Sequence, residues 1–114
     1  RPEGTDWIRI AALYADLARR APSPVVELNR ALAVSRADGP AAGLALLDAL
    51  ADEPALARYP LLPGARADLL FQLGEYARAG KEFERAASLA GNDRVRKRLM
   101  GRAEECVRRS EEEG

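Results

Sequence analysis

Leu73-Gly74-Glu75-Tyr76-Ala77-Arg78-Ala79, with Phe83, Ala86 and Leu89 beyond it, is the stretch that decides the fold. Gly74 interrupts an apolar run. A helix restarts at Tyr76 and carries Ala79, Phe83 and Ala86 on one face, at spacings of four and three. Small residues let two helices approach closely, and the large residue between them fills the space alongside. The stretch therefore reads as the turn and second member of a helix pair.

Worked outward from there, the chain resembles itself. At a shift of 36 residues, Pro24 meets Pro60, Arg30 meets Arg66, Ala31 meets Ala67 and Val34 meets Leu70. In the helix that follows, Gly43 meets Ala79, Leu47 meets Phe83 and Leu50 meets Ala86. Self-similarity at such a period is the mark of stacked supersecondary units, each too small to bury its apolar face alone.

Glycine and proline cut the rest into about six helical segments. The first is expected from about Asp6 to Arg20, capped by Thr5 or Asp6, with Ile10, Leu13, Tyr14 and Leu17 inward. Ala21-Pro22 ends it, because a residue before proline avoids the α region. Ser23 caps the second, with Pro24 at its first position and Val25, Val26, Leu28, Leu32 and Val34 along it; it stops near Ala37-Asp38-Gly39. Pro40 opens the third, which runs to about Asp52 with Leu44, Leu47 and Leu50 inward. Glu53 to Leu62 reads as a loop with a helical turn at Ala55–Arg58. The fourth helix runs from near Pro63 to Gly74. The fifth spans Tyr76 to Ala90, closed by Gly91 in a left-handed conformation. Asn92 or Asp93 caps the sixth, whose apolar face is Val95, Leu99, Ala103, Cys106 and Val107; residues 108–114 are expected to fray.

The repeat extends to both ends. The first helix fits as an unpaired second helix, with Tyr14 at the place of Leu47 and Phe83, and Ile10 at that of Gly43 and Ala79. The sixth fits as an unpaired first helix, with Gly101 in the small position of Ala31 and Ala67. Two whole pairs between two half-units result.

The bulk composition agrees with this. The chain has 114 residues, the size of one domain, and 47% are apolar but only 5% aromatic. An Ala/Leu-rich composition favours helices over strands. The 18 positive and 18 negative charges leave no basic excess of the kind phosphate binding calls for, which disfavours nucleic acid as the main ligand. With no histidine and one cysteine, intrachain disulfides and Cys/His zinc sites are excluded. No apolar run approaches the roughly 18 residues that span a bilayer. Arg1-Pro2-Glu3-Gly4 is not a secretory start, and a first residue that is Arg in place of an initiator methionine makes the chain read as part of a longer cytoplasmic protein.

Little in the sequence carries chemistry. There is no phosphate-cradling loop, and no serine with a plausible base. Glu82, Glu84 and Arg85 read as a solvated helix face. Cys106, in an apolar stripe, reads as a packing residue. Arg94, Arg96, Lys97, Arg98 and Arg102 form one basic cluster, which Asp93, Glu104 and Glu105 on the same helix largely neutralise. Neither catalysis nor a cofactor is expected.

The Gly-Glu-Tyr-Ala turn, with its Phe and Ala, resembles the tetratricopeptide repeat. A Trp is missing from the early position, which falls on Pro63, and the closing proline is replaced by Gly91. The likeness implies an all-α, right-handed stack of antiparallel helix pairs, whose first helices line a concave partner-binding groove. Asn29, Arg30, Arg36, Arg66, Asp68 and Gln72 are then the groove candidates. Arg30 and Arg66, at one place in successive units, equally suit a clamp at the seam between repeats. Trp7 and Tyr14 read as core or as a lid.

A narrower resemblance follows from Asp6-Trp7, Leu13-Tyr14, Pro22-Ser23-Pro24-Val25-Val26, Leu28-Asn29-Arg30-Ala31, Gly39-Pro40-Ala41-Ala42-Gly43-Leu44 and Ala65-Arg66-Ala67-Asp68-Leu69-Leu70. In this order, over roughly Asp6 to Ala103, they are similar to the C-terminal tetratricopeptide-like extension of bacterial extracytoplasmic-function RNA polymerase sigma factors. Tyr59-Pro60 departs from that pattern, which would have a His after the Tyr. The resemblance implies a regulatory protein-interaction region. Its partners would be the upstream sigma domains, core RNA polymerase or a signalling protein, with no direct contact to nucleic acid or membrane. The alternative is a free-standing scaffold whose groove captures a peptide of an unrelated partner, and the helical period alone stops at a scaffold.

Overall fold

The computed structural model describes residues 5–113, so the reading of Arg1 to Gly4 lies outside the described residues, as does Gly114. Six α-helices follow one another: α1 (Trp7–Arg20), α2 (Pro24–Asp38), α3 (Pro40–Asp48), α4 (Leu61–Gln72), α5 (Tyr76–Ser88) and α6 (Asp93–Glu113). A 3-10 turn, Pro54–Leu56, lies between α3 and α4, and no strand occurs among the described residues. The fold is all-α and built from successive packed helices, as the repeat implies. The chain divides into two compact units, Arg1–Ala57 and Arg58–Gly114.

In the first unit, α2 packs on both α1 and α3. Asp6 caps α1 by accepting from the Arg9 amide, and Ser23 caps α2 by accepting from the Val26 amide. Gly39 ends α2 and opens α3 at φ 101°, ψ 165°, a conformation almost reserved for glycine. The two helices then close tightly. A Cβ on Gly43 would stand 2.3 Å from Ser35 Cβ and 2.9 Å from Ser35 Cα. Leu28, Ala31 and Leu47 are fully enclosed.

Three expectations fail in this unit. α3 ends at Asp48 rather than Asp52, because the amides of Leu50 and Ala51 turn to the carbonyls of Leu47 and Asp48, three residues back. Pro54 completes the break by holding Glu53 extended. The short turn begins at Pro54, not Ala55, and it buries Leu56, a core residue hidden within an apparent loop. α1 buries less than its pattern implies: Leu13 and Leu17 are exposed and none of its residues is fully buried, since only α2 covers it in this unit.

The second unit packs α4 on α5 and α5 on α6. α4 begins at Leu61, two residues before Pro63, which sits in the first turn where a missing amide hydrogen leaves no helical bond unmade. At its other end Gly74 adopts φ 80°. The Glu75 amide donates to the Leu70 carbonyl and the Gly74 amide to that of Phe71, the paired bonds of a Schellman cap. Gly91 does not repeat this. It has no positive φ; α5 stops at Ser88, with Leu89 and Ala90 bonding three residues back. Asn92 caps α6 by accepting from the Val95 amide. α6 continues through Glu113, and Arg109 within its last turns donates to Glu105 and to the Tyr76 hydroxyl.

The residue one period beyond Ala67 is Ala103, and it is Ala103 that is buried. Gly101, expected in that place, is exposed with open space around it.

Candidate functional site

The six candidates divide between the units, with Asn29, Arg30 and Arg36 on α2 and Arg66, Asp68 and Gln72 on α4. Their environments differ according to which neighbour each helical position faces.

Arg66 points from α4 to α5, where Nη1 stands 2.8 Å from Glu82 Oε1, both side chains being less than one-fifth exposed. This corrects the reading of Glu82 as part of a solvated face: it lies one turn beyond Ala79 and beside Phe83, at the edge of the buried stripe. Arg85 is a more distant second counter-charge, at 3.8 Å. Arg66 therefore braces the helix pair. Arg30, its repeat equivalent, cannot do the same, because the position equivalent to Glu82 is Leu46. Arg30 turns instead to Glu27 on its own helix, at 3.3 Å.

The two arginines thus have unequal mechanical value. Arg66→Ala should lower the unfolding free energy by about 2 kcal/mol, since it leaves a largely enclosed carboxylate with a weakened partner. Arg30→Ala should cost about 0.5 kcal/mol or less, the scale of a half-exposed pair within one helix. Urea unfolding followed by circular dichroism checks both, and equal effects would contradict the assignment.

Asp68 faces the opposite side of α4 from Arg66. It meets Arg102 of α6 at 3.4 Å, so within this unit it ties one first helix to the next. Sequence reading does not single out Arg102 and Arg109 as a pair, yet they build the most connected polar cluster of the unit. The Arg102 guanidinium lies 4.9 Å from the Phe71 ring centre and 4.6 Å from that of Phe83. Arg109 lies 5.3 Å from Phe71 and 5.5 Å from Tyr76, and Phe71 and Tyr76 meet edge to face. The missed signal is the period itself, since Arg102 lies one repeat beyond Arg66.

Arg36 sits over the Trp7 ring at 5.5 Å but is itself exposed. Gln72, one period later, is exposed too, and Asn29 shares the Arg36 face one heptad earlier. Asn29 and Arg36 on α2 of the first unit, and Gln72 on α4 of the second, are the candidates that remain available to a ligand within each unit. Trp7 is half-buried under Arg36, which suits the lid reading better than the core.

Cys106 is buried, and a Cβ on Gly80 of α5 would come within 3.1 Å of its own Cβ, which marks a close helix contact. Burial pushes its thiol pKa up. Glu105 adds to the rise, while Arg102 and Arg109 oppose it. The unfolded chain releases this proton at lower pH than the folded one. The stabilisation is therefore intact below the ordinary thiol range and declines as pH rises through it. Cys106→Ala should remove that alkaline slope from denaturation midpoints measured between neutral and mildly alkaline pH.

Among the described residues, no cluster of three or more Cys, Asp or Glu is arranged to hold a metal, and no helix is long and apolar enough to cross a membrane.

No known family's sequence profile matches the chain, and no solved structure matches it. An uncharacterized protein of Rhizobium meliloti (strain 1021) is 49% identical over 92 residues, which is 81% of this chain and 21% of that protein. The chain thus spans about a fifth of the length of that relative.

Proposed function

We propose that this chain is a non-catalytic protein-interaction region, and that it serves as the C-terminal regulatory part of an extracytoplasmic-function sigma factor in the bacterial cytoplasm. The observation that carries the interaction reading is the exposed polar position that recurs on the first helix of each unit. Arg36 and Gln72 occupy one repeat position in the two units and both face solvent, while Arg66 and Asp68 are taken up in bracing. The sigma-factor assignment is supported by the ordered strings that resemble that family's tail. The matched segment of the Rhizobium protein likewise belongs to a much longer chain.

Contacts to the upstream sigma domains, to core polymerase or to a signalling protein would then set whether the factor is active. The decisive experiment deletes this region from the full-length gene product and measures transcription from its promoters. A changed output is expected, and an unchanged one overturns the regulatory role. Pull-down from the native host with Asn29, Arg36 and Gln72 all changed to Ala tests the surface, with circular dichroism as the folding control. Retained capture would exclude these residues. A reading frame without sigma-type helices upstream would favour the free-standing peptide-binding scaffold instead.

A further inference from the structure

The charge layout of α6 opposes its own dipole. A helix is stabilised by carboxylates near its N-terminus and cations near its C-terminus. After Asp93, the first half of α6 carries Arg94, Arg96, Lys97 and Arg98, while the last turn holds Glu111, Glu112 and Glu113 and no basic residue. Part of this is settled locally, since Arg96 pairs with Asp93, and Arg102 and Arg109 turn inward. What remains faces solvent: Arg94, Lys97 and Arg98 toward one end, and the three terminal glutamates toward the other. Within the unit, α6 packs through Ala103 and Cys106, which leaves the opposite side free.

That free side also carries apolar surface. Met100 is 39% exposed and Val107 51%, and Gly101 between them has nothing within 4 Å of an added Cβ. Met100, Gly101, Glu104, Val107 and Arg108 share the outward stripe, with Glu104 and Arg108 spaced for mutual attraction on one helix. Two apolar residues and an open glycine at mid-helix, with Arg94 and Lys97 toward one end and Glu111 and Glu112 toward the other on the same broad side, form a self-complementary surface, while Arg98 and Glu113 lie at its edges.

We propose that α6 is a homodimerisation helix that pairs antiparallel with α6 of a second copy. In that arrangement the basic half of each helix lies beside the acidic half of the other, and Met100 and Val107 come together near the two-fold axis. Each helix then receives at each end the counter-charge that its own sequence withholds. A parallel pair would set like charges side by side, so the direction is fixed by the same layout. The proposal does not depend on the sigma-factor reading.

The test is sedimentation equilibrium of the chain over roughly a hundredfold range of concentration. A monomer–dimer equilibrium is expected, and its apparent Kd should rise by about tenfold or more between low and high salt, since the opposing charges are exposed. One variant reverses the basic half (Arg94→Glu, Lys97→Glu, Arg98→Glu) and another the acidic end (Glu111→Lys, Glu112→Lys, Glu113→Lys). Each alone should be monomeric with unchanged helicity, and an equimolar mixture of the two should recover the dimer. Wild-type protein that stays monomeric throughout at low salt overturns the proposal. So does a dimer that survives either reversal, or a mixture of folded variants that fails to associate.

Discussion

Gly43→Ala is expected to unfold much of the first unit at temperatures where the wild-type chain is intact. The new methyl would stand 2.3 Å from Ser35 Cβ, 2.9 Å from Ser35 Cα and 3.0 Å from the Ala31 carbonyl oxygen. Two of those atoms are backbone, so no rotamer change relieves the overlap and α3 must move off α2. Overpacking of this kind costs about 3 kcal/mol or more, whereas alanine's better helix propensity returns only about 1 kcal/mol. At roughly 0.05–0.15 kcal/mol per residue, a unit of this size has only about 3 to 9 kcal/mol in all. The second unit supplies an internal control: its equivalent position is Ala79, already fully buried with its methyl in place. Thermal melts by circular dichroism, with amide exchange to locate the loss in α2 and α3, measure the effect. A melting temperature within a degree or two of wild type would contradict the geometry.

Phe83→Ala should be comparably severe in the second unit. Phe83 is the largest of the fully enclosed side chains, and its ring also underlies the Arg102 guanidinium. Truncation removes the buried ring, opens a cavity between α5 and α6 and leaves Arg102 with Phe71 alone as its aromatic neighbour. Losses for such changes run about 3–5 kcal/mol. Phe83→Leu, matching the Leu47 that holds the equivalent place in the first unit, should recover most of the stability. Leu47→Ala should cost about 2–5 kcal/mol. Equilibrium denaturation of the three variants gives the ranking, and a mild Phe83→Ala would show that the site collapses around the missing ring.

The helix order and most boundaries can be read from the chain because each rests on local chemistry. Ser23 and Pro24 start α2 where the pair predicts, and Gly74 ends α4 in the conformation a tight helix exit requires. The errors arise where tertiary packing decides. Leu56 looks like a loop residue beside prolines and alanines, and only its burial in the first unit reveals its role. α3 has no local stop before Pro54, so its tightening at Leu50 is hidden. Gly101 looks like the small packing residue by type, although the period points to Ala103. Gly91 has the right residue for a left-handed cap without the backbone that uses it.

The candidate surface is legible only in outline. Repeat equivalence places Arg30 and Arg66 together, but equivalence of position is not equivalence of partner: one is left with Glu27 on its own helix and the other finds Glu82. Ion pairs across helices depend on both members. A single-helix pattern such as Glu82-Phe83-Glu84-Arg85 cannot say which carboxylate turns inward. The opposite charges on α6 are visible in the sequence, but their inversion relative to the helix direction has meaning only once the inward-facing arginines are set aside.

Gly39 joins α2 to α3 without a spare residue, closing one helix and opening the next from a single backbone conformation. One residue inserted there would turn α3 by about 100° about its axis and carry Gly43 away from Ser35. The junction is therefore a fixed-length joint, whereas the segment from Ala49 to Pro60 holds its place largely through Leu56. Among natural variants of this chain, length changes should accumulate in that second segment and be absent from the first. The spacing of Ser35, Gly39 and Gly43 is thus the most dependable ruler for aligning distant relatives.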